Sequence, residues 1–268
     1  MIPNPTARIT PNHDIPMLIA AKTLKGYKLH SLDGDIGSAR EFYFDDRYWT
    51  VRYLVADTGN WLTGKHVLLS PYALDRVDPD KEQVMINLTK EKISASPALS
   101  TDKPVSKQFE DSYYGYYGWP NYWNGPYSWG GYPYVNRDPD TWSPPGEVTG
   151  HWDHNLRSTR AVTGYHVQAS DGDIGHVEDF IIDDETWAIR YLVVNTHNWM
   201  PGRHVLISPK WIDSVRWLES KVFTTLSRES VRSSPEYTSA SLITRDYESR
   251  LHDSYRRQGY WVDELVAP

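Results

Sequence analysis

Two copies of Asp-Gly-Asp-Ile-Gly, at Asp33–Gly37 and Asp171–Gly175, set two carboxylates two residues apart beside glycine. Alternating oxygen ligands of this kind open a calcium-binding loop, but such a loop also needs glycine at its sixth position and a bidentate Glu at its twelfth. Neither copy continues that way. Asp33-Gly34 and Asp171-Gly172 instead have the composition of tight hairpin turns, with the glycine supplying a positive φ. His66 and His204 each begin an apolar run, and His151 and His154 stand three apart. Neutral imidazole binds metals, yet none of these pairs has the spacing of a helical zinc motif, so His66 and His204 are expected to be hydrogen-bonded strand-end residues. Arg52 and Arg190 sit in apolar runs close behind Asp45-Asp46 and Asp183-Asp184. A structural ion pair is the plainer role for them, and anchoring of an anionic ligand the sharper one. Nucleophilic catalysis has little to work with. There is no cysteine and no G-x-S-x-G, and Ser70-Pro71 and Ser208-Pro209 look like strand ends. Neither phosphate-cradling glycine motif occurs. The expectation is therefore no catalytic residue, no metal and no cofactor.

Aromatic residues suggest binding. Trp61 follows Asn60 in one loop, and Trp199 follows Asn198 in a matching one. Aromatics on loops beside a scaffold commonly serve recognition, with folding back as a cap for the strands as the alternative. Between residues 113 and 134, 11 of 22 residues are Tyr or Trp, among them Trp119, Trp123, Tyr127 and Trp129. Tyr and Trp carry a large apolar body and a polar tip, which suits an interface wetted at one edge. This segment is expected to cover a seam between the two halves of the chain. A partner-binding patch, a stacking platform for sugars or bases, and a membrane-interface contact are the alternatives.

The elements that must position these residues are written twice. At an offset of 138, Trp49 meets Trp187, Arg52-Tyr53-Leu54-Val55 meets Arg190-Tyr191-Leu192-Val193, and His66-Val67-Leu68 meets His204-Val205-Leu206. From 26/164 to 97/235, 31 of 72 pairs are identical, which identifies an internal duplication. In the second half, short runs at 165–169, 175–183, 188–195, 203–208, 213–217 and 221–226 have strand composition and turn residues between them. Leu-Thr-Lys-Glu at 88–91 and Leu-Ser-Arg-Glu at 226–229 read as helix starts. Val105, Phe109, Tyr113 and Tyr117, like Ile243, Tyr247, Leu251 and Tyr255, recur every four residues as in an amphipathic helix. The organisation is thus a module at 16–123, a Pro/Gly/aromatic connector at 124–153, and a second module at 154–261.

The strand, Asp-Gly-Asp-Ile-Gly turn, strand ending in Asp-Asp, Trp-x-x-Arg-Tyr-Leu-Val strand and His-Val-Leu-(Leu/Ile)-Ser-Pro together resemble the PRC-barrel family. Its members include the cytoplasmic domain of the photosynthetic reaction-centre H subunit and the C-terminal domain of a ribosome-maturation factor. The resemblance covers about 70–80 residues of each half. It implies a mainly β fold of two small six-stranded barrels, each followed by an amphipathic helix, used for binding and assembly rather than catalysis.

The chain of 268 residues has a formal charge of −7, which disfavours nonspecific nucleic-acid binding. Its apolar runs are too short for a membrane span and its start lacks a signal peptide's apolar region, so a soluble, cytoplasmic protein is expected. The expected function is a non-enzymatic adaptor that engages a protein partner. Its two modules would be related by a pseudo-twofold axis within one chain, and further homo-oligomerisation is left open. The alternatives are a small-molecule or carbohydrate binder using the aromatic segment, and an accessory protein of electron transfer or photosynthesis.

Overall fold

Phe180-Ile181-Ile182 and its counterpart Phe42-Tyr43-Phe44 are the most apolar parts of the longest strands, and the architecture is arranged around them. In a computed structural model, the described residues are 17–59, 61–62, 66–97, 105, 107–119, 121–122, 156–196, 200 and 202–264. The connector at 124–153 lies outside them. The first half contains β1 (Leu18–Ala20), α1 (Ala21–Leu24), β2 (Lys28–Ser31), β3 (Gly34–Asp45), β4 (Thr50–Asp57), β5 (His66–Leu69), β6 (Leu74–Asp78), β7 (Gln83–Ile86), α2 (Lys90–Ser94) and α3 (Lys107–Tyr117). The second contains β8 (Leu156–Ser158), α4 (Thr159–Val162), β9 (His166–Ala169), β10 (Gly172–Asp183), β11 (Ile189–Asn195), β12 (His204–Ile207), β13 (Ile212–Arg216), β14 (Lys221–Thr224), α5 (Arg228–Ser233), α6 (Arg245–Ser254) and α7 (Tyr260–Glu264). No helix among the described residues is long and apolar enough to cross a membrane.

The protein is mainly β, with two similar seven-stranded sheets. Their orders are β5-β4-β3-β2-β7-β6 and β12-β11-β10-β9-β14-β13, all antiparallel except for β2–β7 and β9–β14. This corrects the expectation of two closed six-stranded barrels in two respects. First, the strands at the two ends of each order are chain neighbours joined by a 3-10 turn, Pro71–Ala73 or Pro209–Trp211, and are not paired with each other. The sheet turns a corner there without closing. Second, each sheet gains a strand from the other half: β8 pairs with β3 and β1 with β10. The reason lies in strand lengths. β2 covers β3 only from Gly34 to Ser38, so one edge of Tyr43–Asp45 has no neighbour until Leu156–Ser158 supplies one. Unpaired backbone N–H and C=O groups at that depth are costly, and the exchanged strand satisfies them.

The halves are joined further where the two copies of the repeat face each other. Trp49 and Trp187 both adopt left-handed backbone, with φ of 54° and 60°. In that conformation the Trp187 carbonyl accepts from Val51 N–H at 2.8 Å and the Trp49 carbonyl from Ile189 N–H at 2.7 Å. A non-glycine residue there costs about 1–2 kcal/mol, which the reciprocal bonds, the buried Trp187 ring and the partly buried Trp49 ring offset. Phe44 lies 5.7 Å from Phe180 and 5.3 Å from Trp49, and Phe42 lies 6.4 Å from Trp187. These contacts bear out the expectation that the duplicated halves contact each other.

The strands and helices read from local pattern stand close to their expected places. On α3, on α6 and at the C-cap of α6, Tyr113, Tyr117, Tyr247, Leu251 and Tyr255 are buried, as their four-residue spacing implies. The last glycine of the repeated pentapeptide has a steric role: a Cβ on Gly37 would lie 2.0 Å from the Asp57 carbonyl oxygen, and one on Gly175 would lie 1.9 Å from that of Asn195. Gly26 has a similar positive φ of 95° but open space around it. Gly37→Ala and Gly175→Ala should therefore each lose about 3 kcal/mol or more in urea unfolding, from overpacking added to backbone strain. Gly26→Ala should lose only about 1 kcal/mol.

Candidate functional site

The first carboxylate of each pentapeptide, though exposed, is bonded to a neighbouring element. Asp33 Oδ1 accepts from Lys90 N–H at 2.8 Å, and Asp171 Oδ1 from Arg228 N–H at 2.7 Å. Each hairpin thereby tethers the first residue of the short helix α2 or α5, beside the side-chain caps from Thr89 and Ser227. Among the described residues, no group of three or more His, Asp or Glu is placed to hold a metal ion.

The two arginines serve the interior. Arg52 is fully buried, with Nη2 3.2 Å from Asp45 Oδ2 and its guanidinium 4.2 Å from the Tyr122 ring centre. Arg190 bonds Asp183 Oδ2 through Nε at 2.9 Å and Nη2 at 2.7 Å, under the Tyr260 ring at 4.0 Å. The remaining oxygen of each Asp accepts backbone N–H groups from the following turn, Arg47 and Tyr48 in one half and Glu185 and Thr186 in the other. Beside each arginine a buried glutamate collects tyrosine hydroxyls. Tyr53 and Tyr122 donate to Glu110 at 2.8 and 2.7 Å, and Tyr191 lies 2.8 Å from Glu248. Burial raises the Tyr53 and Tyr191 phenols well above their ordinary range. Sequence reasoning missed both glutamates, although Glu110 and Glu248 fall on each other at the repeat's offset.

The described part of the aromatic segment belongs to this interior rather than to the seam, contrary to expectation. The Tyr113 hydroxyl donates to the Leu68 carbonyl at 2.9 Å and accepts from Ser70 N–H at 3.0 Å, both in its own half. Trp119 is partly buried and stacks on Tyr117 at 4.3 Å and on Tyr72 at 5.7 Å. Hydroxyls that need buried acceptors have drawn these rings onto β5. Trp123, Tyr127 and Trp129 lie outside the described residues, as do Asn60, Asn198, Trp199, His151 and His154.

Trp61 is partly buried at the edge of the first sheet, with the Lys90 ammonium 5.9 Å from its ring centre. The same ammonium would lie 3.3 Å from a Cβ on Gly34, so Lys90 bridges the Trp61 loop and the Asp33-Gly34 hairpin. On that hairpin Leu32 is 66% exposed. Its counterpart in the second half is Ser170, so this apolar residue is particular to the first half.

His66 and His204 occupy matching strand starts with opposite neighbours. His66 Nε2 faces Arg40 Nη1 at 2.5 Å, whereas His204 Nε2 faces Glu178 Oε2 at 2.8 Å. Glu178 also binds Lys22 of the exchanged segment at 3.0 Å and Asn195 at 2.7 Å. Burial disfavours its charge, but these three hydrogen bonds prevail and hold the carboxyl at about 2. Next to it Asp179 accepts Lys22 N–H, and Asp184 accepts Met17 N–H at 2.8 Å, so both clamp the exchanged segment β1–α1. Burial pushes each of these two up to about 6. The other exchanged segment is held by ion pairs, Arg157–Asp46 at 2.9 Å and Arg160–Glu41 at 3.6 Å.

No protein-family model matches the chain, and no curated protein matches it.

The clamp sets a pH dependence. A carboxyl raised in the folded state adds stability that is complete below its unfolded pKa of about 3.9 and is lost as pH rises through about 6. Glu178, held low, acts oppositely: its contribution is present above about 4.3 and is lost as pH falls towards 2. Asp179→Asn should therefore flatten the profile, with wild type losing roughly 2 kcal/mol more than the variant between pH 4 and pH 7 in urea titrations. Arg52→Gln should cost about 3–5 kcal/mol by leaving Asp45 as an unpaired buried charge.

Proposed function

We propose that this protein is a non-enzymatic binding and assembly module of PRC-barrel type, working in the cytoplasm, whose first half docks a protein partner at the rim formed by Trp61, Lys90 and Leu32. One observation carries the reading. The repeated residues with chemical potential, Asp33/Asp171, Arg52/Arg190 and Glu110/Glu248, are engaged in holding the fold, whereas Leu32 is 66% exposed on a hairpin bridged by Lys90 to a tryptophan. An aromatic ring with a cation against it, next to an exposed aliphatic side chain, has the composition of a protein-recognition hot spot. In the second half Ser170 stands where the first half has Leu32, so the apolar residue of this rim is not repeated. A duplicated module of this kind suits an adaptor that holds two unlike surfaces at a fixed separation.

The test is quantitative cross-linking and capture from the native cell extract with full-length wild type and with Trp61→Ala/Leu32→Ser. Capture of a specific partner by wild type and a drop of about 30-fold or more in its apparent affinity for the variant, at unchanged thermal stability, is expected. An identical partner set bound equally by both proteins would overturn the assignment.

A further inference from the structure

The interior clusters of the two halves differ at one position, and the difference changes their proton count. In the first half Tyr53 and Tyr122 each donate to Glu110 Oε1, and a carboxylate accepts both. The second half keeps the glutamate and both tyrosines, as Glu248, Tyr191 and Tyr260, but replaces Tyr114 with His252. There the Tyr191 hydroxyl stands 2.8 Å from Glu248 Oε1 and 3.0 Å from His252 Nε2, while His252 Nδ1 stands 2.9 Å from the Gln258 carbonyl oxygen. Glu248 and His252 are each 2% exposed, so water does not substitute for a missing partner.

Three contacts in a row need three hydrogens. A carbonyl only accepts, so Nδ1 carries one of them. The Tyr191 hydroxyl supplies a second, to Glu248 or to Nε2 but not to both. The third must sit on Glu248 Oε1 or on His252 Nε2. An ionised glutamate facing a neutral histidine, the ordinary pair above neutral pH, is one hydrogen short. We infer that Glu248 and His252 hold one additional proton in common through Tyr191, and that this proton locks the C-terminal turn and α7 onto the second half.

The surroundings fit either placement of that proton. Arg245 pairs with Glu248 at 2.8 Å, and the Tyr260 hydroxyl and Arg190 also act on it, all three favouring the carboxylate. Lys210 and Arg245 oppose a charged His252, and Asp253 favours it. Burial is the largest influence on both groups, raising Glu248 and lowering His252, which favours a neutral acid beside a neutral imidazole. The two arrangements contain the same number of protons and satisfy the same three contacts, so the pair titrates as a unit.

When the proton leaves, two acceptors compete for the single Tyr191 hydrogen, and one contact in the chain fails. An ionised Glu248 is the stronger acceptor, so the contact that fails is Tyr191 to His252, which ties the imidazole to the sheet, and the residues of the C-terminal turn dock around that imidazole. Trp261 meets the His252 ring edge to face at 5.0 Å and lies under the Arg245 guanidinium at 4.3 Å. Rising pH therefore releases α7. The stabilising proton is complete below the unfolded glutamate pKa and is lost as pH passes through the folded value of the pair.

The test uses the full chain, with ring nitrogen NMR of His252 and amide exchange at 256–262, corrected for intrinsic rates, between pH 5 and pH 10. Wild type should show Nδ1 protonated throughout. Its opening equilibrium at 256–262 should rise by up to tenfold per pH unit as pH climbs from the open-state pKa to the folded pKa of the pair and level off above it, with no such step at 118–122. Glu248→Gln offers Tyr191 an amide hydrogen that does not titrate, and His252→Tyr restores the residue of the first half, so both should keep the segment closed at high pH. Wild-type exchange that follows intrinsic rates alone, or the same His252 titration in wild type and Glu248→Gln, would overturn the inference. So would an unprotonated Nδ1 between pH 5 and pH 7, a reading that needs no variant.

Discussion

A strand that ends before its neighbour leaves backbone groups with nowhere to bond, and both β3 and β10 pose that problem. Their first turns of sequence are covered by β2 and β9, but the stretches ending in Asp45 and Asp183 extend beyond that cover. Three residues from the opposite half fill each gap, and much else follows from that exchange. It carries α1 and α4 across to the partner sheet. It also gives Asp46, Glu41, Asp179 and Asp184 their purpose as clamps, and it fixes the distance at which Trp49 and Trp187 can bond across the axis. Each half contains a piece of the other's sheet, so the duplication is a structural requirement as well as a sequence record. A single copy would have to find its missing strand in a second chain.

The two exchanges are alike in backbone and unlike in charge. Arg157 and Arg160 bring cations to Asp46 and Glu41, while the matching positions in the first segment are Ile19 and Lys22. Lys22 turns its ammonium to Glu178, leaving Asp179 and Asp184 to be satisfied by backbone N–H groups. Within the first attachment the carboxyls therefore pull in opposite directions: Asp179 and Asp184 lose their contribution as pH rises through about 6, and Glu178 loses its own as pH falls towards 2. The paired histidines diverge in the same sense, since Arg40 and Glu178 occupy one position of the repeat with opposite charges.

Local pattern revealed much of the sheet content. Strand composition placed β9 to β14 within a few residues, and the four-residue spacing of Tyr113, Tyr117, Leu251 and Tyr255 marked α3 and α6 correctly. These signals arise within a single element. The exchange was not legible, because Leu18–Ala20 and Leu156–Ser158 are too short to show a period and their partners lie far away in sequence. Sheet closure was not legible either, since the 3-10 corners after Ser70 and Ser208 fix a bend and not what the edge strands meet. Of the candidate residues, the Asp-Gly hairpins and the Arg–Asp pairs followed from spacing. Glu110 and Glu248 escaped notice because a carboxylate on an aromatic stripe looks solvent-facing until the tyrosines that donate to it are placed.

The excess of tyrosine, 19 against 5 phenylalanines, has a physical explanation in those glutamates. A buried phenol needs an acceptor, and a buried carboxylate needs donors, so each makes the other tolerable. Tyr53, Tyr122 and Tyr191 answer Glu110 and Glu248, while Tyr113 and Tyr114 answer Leu68 and Ser70. Phenylalanine would fill the same volume and strand the carboxylates. Once such a network exists, substitutions within it are restricted to residues that keep its hydrogen count. Tyr114 and His252 mark the point where the copies took different solutions: a hydroxyl brings its own hydrogen at any ordinary pH, whereas an imidazole brings a second one only when a proton is available. That single difference leaves the backbone of the repeat unchanged and makes the interior of one half, and not the other, answer to pH.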